Sequence, residues 1–364
     1  MARAWIGGKP AALERALTEA AGLLAVARCP LIAGLGTDIA GARAAIRLAE
    51  QTGGVIDHMN SDTLLRDLAV LREAGMMMTT PNEARLRADT LLLVGPSLEK
   101  DASDPSRWLG LDSSGKGDAV EKRSLARLCP GGAVTIPGEA VVNCGVDRLP
   151  VVLAALRARL RGRRVATTGV PAKTIDDVAT LLKAARFGVA MWSAADLDAP
   201  AIEMLCGIVA DLNAETRFTG IALPPANNAI GVLQACGWMT GFPMRTGFGR
   251  GHPEHDPWLH DGARMMATGE ADCVVWISAY GAAAPRWPDG TPVIALTAGE
   301  AVPAAGPAVQ IEVGRPGLDH DGVEHCPMLG TLLAVAATQP SETTSVADAI
   351  GGILAAMPGT QVPA

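Results

Sequence analysis

Short apolar runs alternate with segments of helical period along most of this chain, and that alternation restricts the fold more than any other feature. Leu31–Gly34, Val55–Ile56 and Thr90–Val94 read as buried strands. Ala11–Ala27, Ile39–Gln51, Asp62–Glu73 and Asn82–Arg87 read as helices between and before them. A strand that is apolar throughout must be covered on both faces, and an intervening helix supplies the crossover. The pattern therefore predicts parallel sheets with helices on both sides.

A second alternating series follows. Leu149–Leu160 reads as a helix. Thr174-Ile175-Asp176-Asp177 has the form of a capping box opening a helix to about Arg186. Strands are expected at Ala133–Ile136, Phe187–Trp192, Phe218–Leu223, Cys273–Ser278, Pro292–Leu296 and Val309–Val313. Helices are expected at Ala199–Leu212, Asn228–Cys236, His260–Thr268, Met328–Thr338 and Val346–Met357. Ser97–Gly117 is polar and reads as a surface loop, and Arg315–Cys326 as an irregular crossing. At 364 residues the chain exceeds one small core. The two series predict a first α/β unit over residues 1–165 and a second over 166–314, either following the first or inserted in it. Residues 315–364 would return as closing helices to the first unit.

The net charge of −7 and the lack of a basic stripe speak against nucleic acid as a partner. The longest uncharged run, Phe218–Met244, contains Pro224, Pro225, Asn227, Asn228 and Gln234, which makes a membrane span a poor reading. Glu14, Arg15 and Glu19 interrupt the N-terminal apolar residues, as no secretory signal does. Seven cysteines without a CxxC pair fit a reducing cytoplasm, with no iron–sulfur cluster or disulfide framework.

The most irregular stretch is Thr240–Leu259, TGFPMRTGFGRGHPEHDPWL. Arg245, Arg250 and Arg264 could clamp an anionic ligand or a partner's carboxylates, or could hydrogen-bond loop carbonyls. His252, His255, Asp256 and His260 could approach zinc, but Pro253 and Pro257 forbid a helical spacing, and a surface loop is the favoured reading. Gly34-Leu35-Gly36 with Asp57 has part of a dinucleotide fingerprint, yet Ile39 stands where the third glycine belongs, and an ordinary strand-to-helix turn is favoured. Asp319-His320-Asp321 and Glu324-His325-Cys326 could supply a Cys–His pair but read more simply as a charged turn. Met76-Met77-Met78 reads as core packing. No catalytic, cofactor or metal residue is assigned on these grounds. Arg245, Arg250, His252 and His255 stand as ligand or interface candidates.

Several segments together resemble the B subunits of formylmethanofuran dehydrogenases, a branch of the molybdopterin oxidoreductases. They are Pro30-Leu31-Ile32 with the helix Ala42 to Glu50, Gly53-Gly54-Val55-Ile56-Asp57, Asn82 to Asp89, Ala184 to Val189, Val209 to Asn213, Trp238 to Pro243 and Arg250-Gly251-His252-Pro253. The Thr-Gly-Phe-Pro and Arg-Gly-His-Pro pieces are the most specific. The resemblance implies two Rossmann-like parallel-sheet units of the molybdopterin oxidoreductase type. That family opens on a cysteine-rich segment for a [4Fe–4S] cluster, whereas the first cysteine here is Cys29. It places a cysteine or selenocysteine metal ligand soon after the Gly-Gly-Val-Ile-Asp strand, where this chain reads His58-Met59-Asn60-Ser61-Asp62-Thr63-Leu64-Leu65-Arg66, with no thiolate. Molybdopterin and the cluster are therefore expected to be lost.

A shortened chain of this kind resembles the B subunits of the formyltransferase/hydrolase complexes of methylotrophs. The implied role is that of a non-catalytic cytoplasmic scaffold beside an amidohydrolase-like A, a structural C and a formyltransferase D subunit. The complex would pass formyl groups from formyl-tetrahydromethanopterin to a methanofuran-type carrier and release formate. Two rival readings are an active oxidoreductase holding a pterin-bound metal through Asp62 or another non-thiolate residue, and a hydrolase or transferase built on His252, His255 and Asp256.

Overall fold

The computed structural model describes residues 3–96, 109, 123–130, 139–165, 169–287, 289–299 and 306–358. The loop expected over Ser97–Gly117, Leu109 apart, and the strand expected over Ala133–Ile136 lie outside them. The chain opens with β1 (Ala4–Ile6), β2 (Lys9–Ala11), α1 (Leu13–Val26), β3 (Pro30–Gly36), α2 (Ile39–Thr52) and β4 (Val55–Ile56). Next come α3 (Ser61–Ala74), α4 (Pro81–Arg87), β5 (Thr90–Val94), β6 (Ser124–Leu128), β7 (Ala140–Val142), α5 (Leu149–Leu160), α6 (Ala172–Lys183), β8 (Phe187–Trp192), α7 (Ala199–Leu212) and β9 (Arg217–Ala222). The rest is α8 (Ala229–Thr240), β10 (Thr246–Gly247), β11 (Glu254–His255), α9 (Gly262–Thr268), β12 (Cys273–Ser278), β13 (Val293–Thr297), β14 (Val309–Glu312), β15 (Gly322–Cys326), β16 (Thr331–Val335) and α10 (Val346–Ala356).

Two compact units result. One comprises Met1–Ser61, Pro225–His325 and Leu332–Ala364, the other Asp62–Pro224 and Cys326–Thr331. The inserted piece is therefore 62–224, where the sequence pointed to 166–314. The reason is strand pairing: β5 pairs in parallel with β8, Thr90 opposite Gly188 and Val94 opposite Trp192. Strands of the two alternating series thus share one sheet, and periodicity carries no information about such distant partners. The C-terminal helix α10 belongs to the first of these units.

In the first unit the sheet order is β11-β10-β4-β3-β12-β13-β14-β1-β2. Its centre, β4 to β14, is parallel, and short antiparallel strands close both edges. β3 and β12 are buried along their full length, as their apolar sequences require. β3 carries a bulge: Ala33 pairs Trp276 and Gly36 pairs Ser278, with Gly34 and Leu35 both in left-handed backbone between them. In the second unit five parallel strands run β7-β6-β5-β8-β9. α5, α6 and α7 cover one face through Leu153, Leu156, Val178, Leu182, Leu205 and Ile208.

Three local expectations change. Thr174 lies inside α6, whose first residue Ala172 follows Pro171 with no side-chain cap, because Pro171 already presets the backbone for helix entry. Thr331–Val335 is a strand paired with β15, not helix, since a short apolar run cannot declare its own period. Of Met76-Met77-Met78, Met76 packs against the second unit's core, but Met77 and Met78 are exposed. Their backbone extends beside β9, with Gly220 donating its N–H to the Met77 carbonyl at 2.7 Å.

Candidate functional site

The Gly/Pro-rich stretch after α8 folds onto the edge of the first unit's sheet. Thr246 and Gly247 pair antiparallel with Ile56 and Val55, and His255 and Glu254 pair back on them. The chain can turn there because Gly241, at φ +80°, closes α8 and Arg245 adopts φ +62°.

Arg245 is the hub of this fold. Its N–H donates to the Ile56 carbonyl at 2.9 Å, and its own carbonyl accepts from Asp256 N–H at 3.2 Å. The His255 ring nitrogen Nδ1 lies 3.0 Å from that same carbonyl. The guanidinium donates to the Pro257 carbonyl at 2.8 Å, pairs with Asp261 at 2.7 Å and lies 3.5 Å from Asp57 Oδ2. Asp57 Oδ2 accepts Gly262 N–H at 2.8 Å. Burial pushes the Asp57 carboxyl up to about 6, outweighing the hydrogen bonds from Ser61 and Gly262 and the nearby Arg245 charge. Arg245 is thus a buried structural cation, committed to this network rather than presented to a ligand.

Of the other candidates, His255 touches this network through the Arg245 carbonyl, whereas Arg250 and His252 lie outside it. Arg250 and His252 are exposed and flank Glu254, at 3.1 and 3.7 Å. The His255 ring stacks on Phe242 with centroids 6.3 Å apart. Arg264 donates to the carbonyls of Trp258 and Leu259 at 2.9 and 2.6 Å and lies 4.4 Å over the Trp258 ring. Asp256 accepts the N–H groups of Trp258 and Leu259, at 2.9 and 2.7 Å, and so builds a turn. Large apolar side chains are left in solvent beside them: Trp238, Met239, Phe242, Trp258 and Leu259 are all exposed, Trp258 by 69%. Sequence reading fixed on the charged members of this stretch. The signal it passed over was the aromatic residues placed one turn or one bend apart from them.

Among the described residues no group of three or more His, Cys, Asp or Glu could hold a metal ion. The region where the resemblance expects a metal-binding thiolate, His58 to Arg66, opens on His58 and contains no cysteine. His58 is buried, its Nδ1 accepts Asn60 N–H at 3.0 Å, and its Nε2 lies 3.3 Å from the Asn227 carbonyl. Burial lowers its pKa to about 4, so the ring stays neutral. With both nitrogens engaged it has no lone pair to offer. The neighbouring sulfur is the Met59 thioether, which accepts from Asn227 Nδ2 at 3.2 Å. A tungsten or molybdenum centre that needs a thiolate does not fit these residues.

The partial dinucleotide fingerprint is likewise filled from within. The Asp38 carboxylate caps α2 by accepting Gly41 N–H at 2.9 Å, where a phosphate would have to sit. Asp57, the ribose-acid position, is held by Gly262 and Arg245. The Asp319–Asp321 turn is structural too: Asp319 accepts Arg315 N–H and Asp321 accepts Ala337 N–H, both at 2.8 Å. His325 and Cys326 are consecutive in a strand and point to opposite faces, so they form no nucleophile–base pair.

No family model matches the chain. It is 33% identical over 361 residues to the B subunit of the formyltransferase/hydrolase complex of Methylorubrum extorquens, spanning 96% of each protein. The B subunit of a tungsten-containing formylmethanofuran dehydrogenase from Methanocaldococcus jannaschii is 27% identical over 277 residues, 73% of this chain and 63% of that protein. The crystal structure of the Methylorubrum extorquens formyltransferase/hydrolase complex with methylofuran contains a chain matching this fold with a TM-score of 0.86. The identity is 31%, over 96% of this chain and 97% of that one. The chain therefore belongs to the family of formyltransferase/hydrolase complex B subunits.

Proposed function

We propose that this chain is the B subunit of a formyltransferase/hydrolase complex and acts there as a scaffold whose own residues make and break no bonds. Its full-length relative comes from such a complex, crystallised with methylofuran. The observation that carries the scaffold reading is the segment His58 to Arg66, which follows β4 without a thiolate and whose first residue, His58, is buried and hydrogen-bonded through both ring nitrogens. The chain then holds neither molybdopterin nor an iron–sulfur cluster. Formyl transfer to a methanofuran-type carrier, and hydrolysis to formate, belong to its A and D partners, with C as a further structural component. The assembly works in the cytoplasm. Among the described residues no helix is long and apolar enough to cross a membrane.

The scaffold needs contact surface, and the exposed Trp238, Met239, Phe242, Trp258 and Leu259 beside Arg250, His252 and His255 have the composition of an interface core and rim. Trp258→Ala and Phe242→Ala should each weaken assembly of the complex by about 2 kcal/mol, roughly thirtyfold. Titration with the partner chains followed by size-exclusion chromatography measures this. Unchanged assembly by both variants would move the interface elsewhere. His252→Ala and His255→Ala should leave formate release by the assembled complex unchanged. A loss of turnover without loss of assembly would instead favour histidine chemistry in this chain.

A further inference from the structure

Two cysteines of the inserted unit lie at the ends of paired strands. β6 and β7 run in parallel register, Ala126 opposite Ala140 through Leu128 opposite Val142. The pairing continues one residue further, where Cys129 N–H donates to the Val142 carbonyl at 2.9 Å. Cys129 has φ +57°, a left-handed backbone that turns the chain as the strand ends. Cys144 follows two residues after β7, and its thiol is hydrogen-bonded with that of Cys129. In this register Cys129 falls opposite Asn143 and Cys144 stands one residue further along; strands about 4.8 Å apart with a rise of about 3.3 Å per residue put such a diagonal pair within the roughly 4.4–6.8 Å that a disulfide bridges. Cys129 is buried and Cys144 half-buried, so reagents approach through Cys144. Sulfurs elsewhere have other company. Cys236 faces Thr240 and the Pro243 carbonyl, Cys206 faces Asp67, and Cys29 and Cys273 face Asp272.

We propose that Cys129 and Cys144 form a modification site, a dithiol that low-molecular-weight disulfides oxidise to an intrachain bridge between the ends of β6 and β7. The Cys144 thiolate attacks one sulfur of the reagent RSSR. The reagent's S–S bond breaks, one RS⁻ leaves and takes up a proton, and a mixed disulfide remains on Cys144. The Cys129 thiolate then attacks Cys144 Sγ and expels the second RS⁻. Two electrons pass to the reagent, which ends as two thiols, and the two protein thiols lose their protons. Burial, with Cys129 beside it, pushes the Cys144 thiol up to about 11. Thiolate is scarce at neutral pH, so the first step accelerates about tenfold for each unit of rise toward pH 9. The site is slow and resists casual oxidation.

The test uses the intact chain, alone and in its complex, incubated with oxidised glutathione, quenched with acid, alkylated and mapped by mass spectrometry. The expected product is a cross-linked peptide pair containing Cys129 and Cys144, with no glutathione retained and with the rate rising steeply from pH 7 to pH 9. Cys129→Ser should instead keep glutathione on Cys144. Should that variant fail to fold, the wild-type map decides alone. Glutathione retained on Cys144 without a cross-link, or both thiols fully alkylated under conditions that oxidise the unfolded chain, overturns the proposal. So does a rate independent of pH.

Discussion

Arg245→Ala should destabilise the chain by about 3–5 kcal/mol, because it leaves the buried Asp57 carboxylate and the half-buried Asp261 carboxylate without their cation. Arg245 is 8% exposed, and it bridges Asp57, Asp261 and the Pro257 carbonyl. Arg245→Lys should recover less than half of the loss, since an ammonium cannot reach three acceptors from one planar fork. The deficit should also depend on pH. The folded-state pKa of Asp57 is raised from 3.8 to about 6, so the folded chain binds that proton more tightly than the unfolded chain. Stability from this group is therefore present below about pH 4 and lost as pH rises through 6. Removing the neighbouring cation raises the folded pKa further and extends the loss to higher pH. Urea denaturation of both proteins at pH 5 and pH 8 should show a distinctly larger deficit at pH 8. An equal deficit at both values would mean that the carboxylates are not coupled to the arginine.

Gly34→Ala should cost roughly 3 kcal/mol or more, through two independent effects. At φ +79° any side chain is strained, and a Cβ at this position would lie 2.6 Å from the Ile277 carbonyl oxygen and 3.1 Å from Ile277 N. Both atoms are backbone of the central strand β12, so relief requires shifting the sheet at the β3 bulge. Gly281→Ala is the internal control. Its φ is +77°, but nothing lies within 4 Å of the added carbon. It should lose only the conformational share, about 1 kcal/mol. Thermal unfolding of the two variants separates strain from collision; similar losses in both would show that β12 yields without cost.

The strands that could be read without a structure are the ones buried on both faces. Phe187–Trp192, Cys273–Ser278 and Thr90–Val94 hold at their expected ends. Each is apolar enough to admit only an interior sheet position. The edge strands were illegible. β10 and β11 span two residues each, and Lys9–Ala11 carries a proline, so neither hydropathy nor propensity marks them. They exist because the interior strands offer unpaired backbone beside them. Thr331–Val335 read as helix for the converse reason: five residues of Thr, Leu, Leu, Ala and Val fit either period. The site divides in the same way. Arg245 stood out as a cation in a glycine-rich loop. Its partners Asp57 and Asp261 are distant in sequence, and only the pairing of β10 on β4 brings them together. The lack of a thiolate after β4 was plain from the residues. That His58, at the start of this segment, has both ring nitrogens engaged required the geometry.

The most direct test of a scaffold without a metal centre is elemental analysis of the purified complex for tungsten and molybdenum, with extraction of any bound pterin as its fluorescent oxidation product. The account predicts both at background relative to this chain, in preparations that still release formate from a formylated carrier. Either metal, or a pterin, present at a constant stoichiometric ratio to this chain through successive purification steps would contradict it.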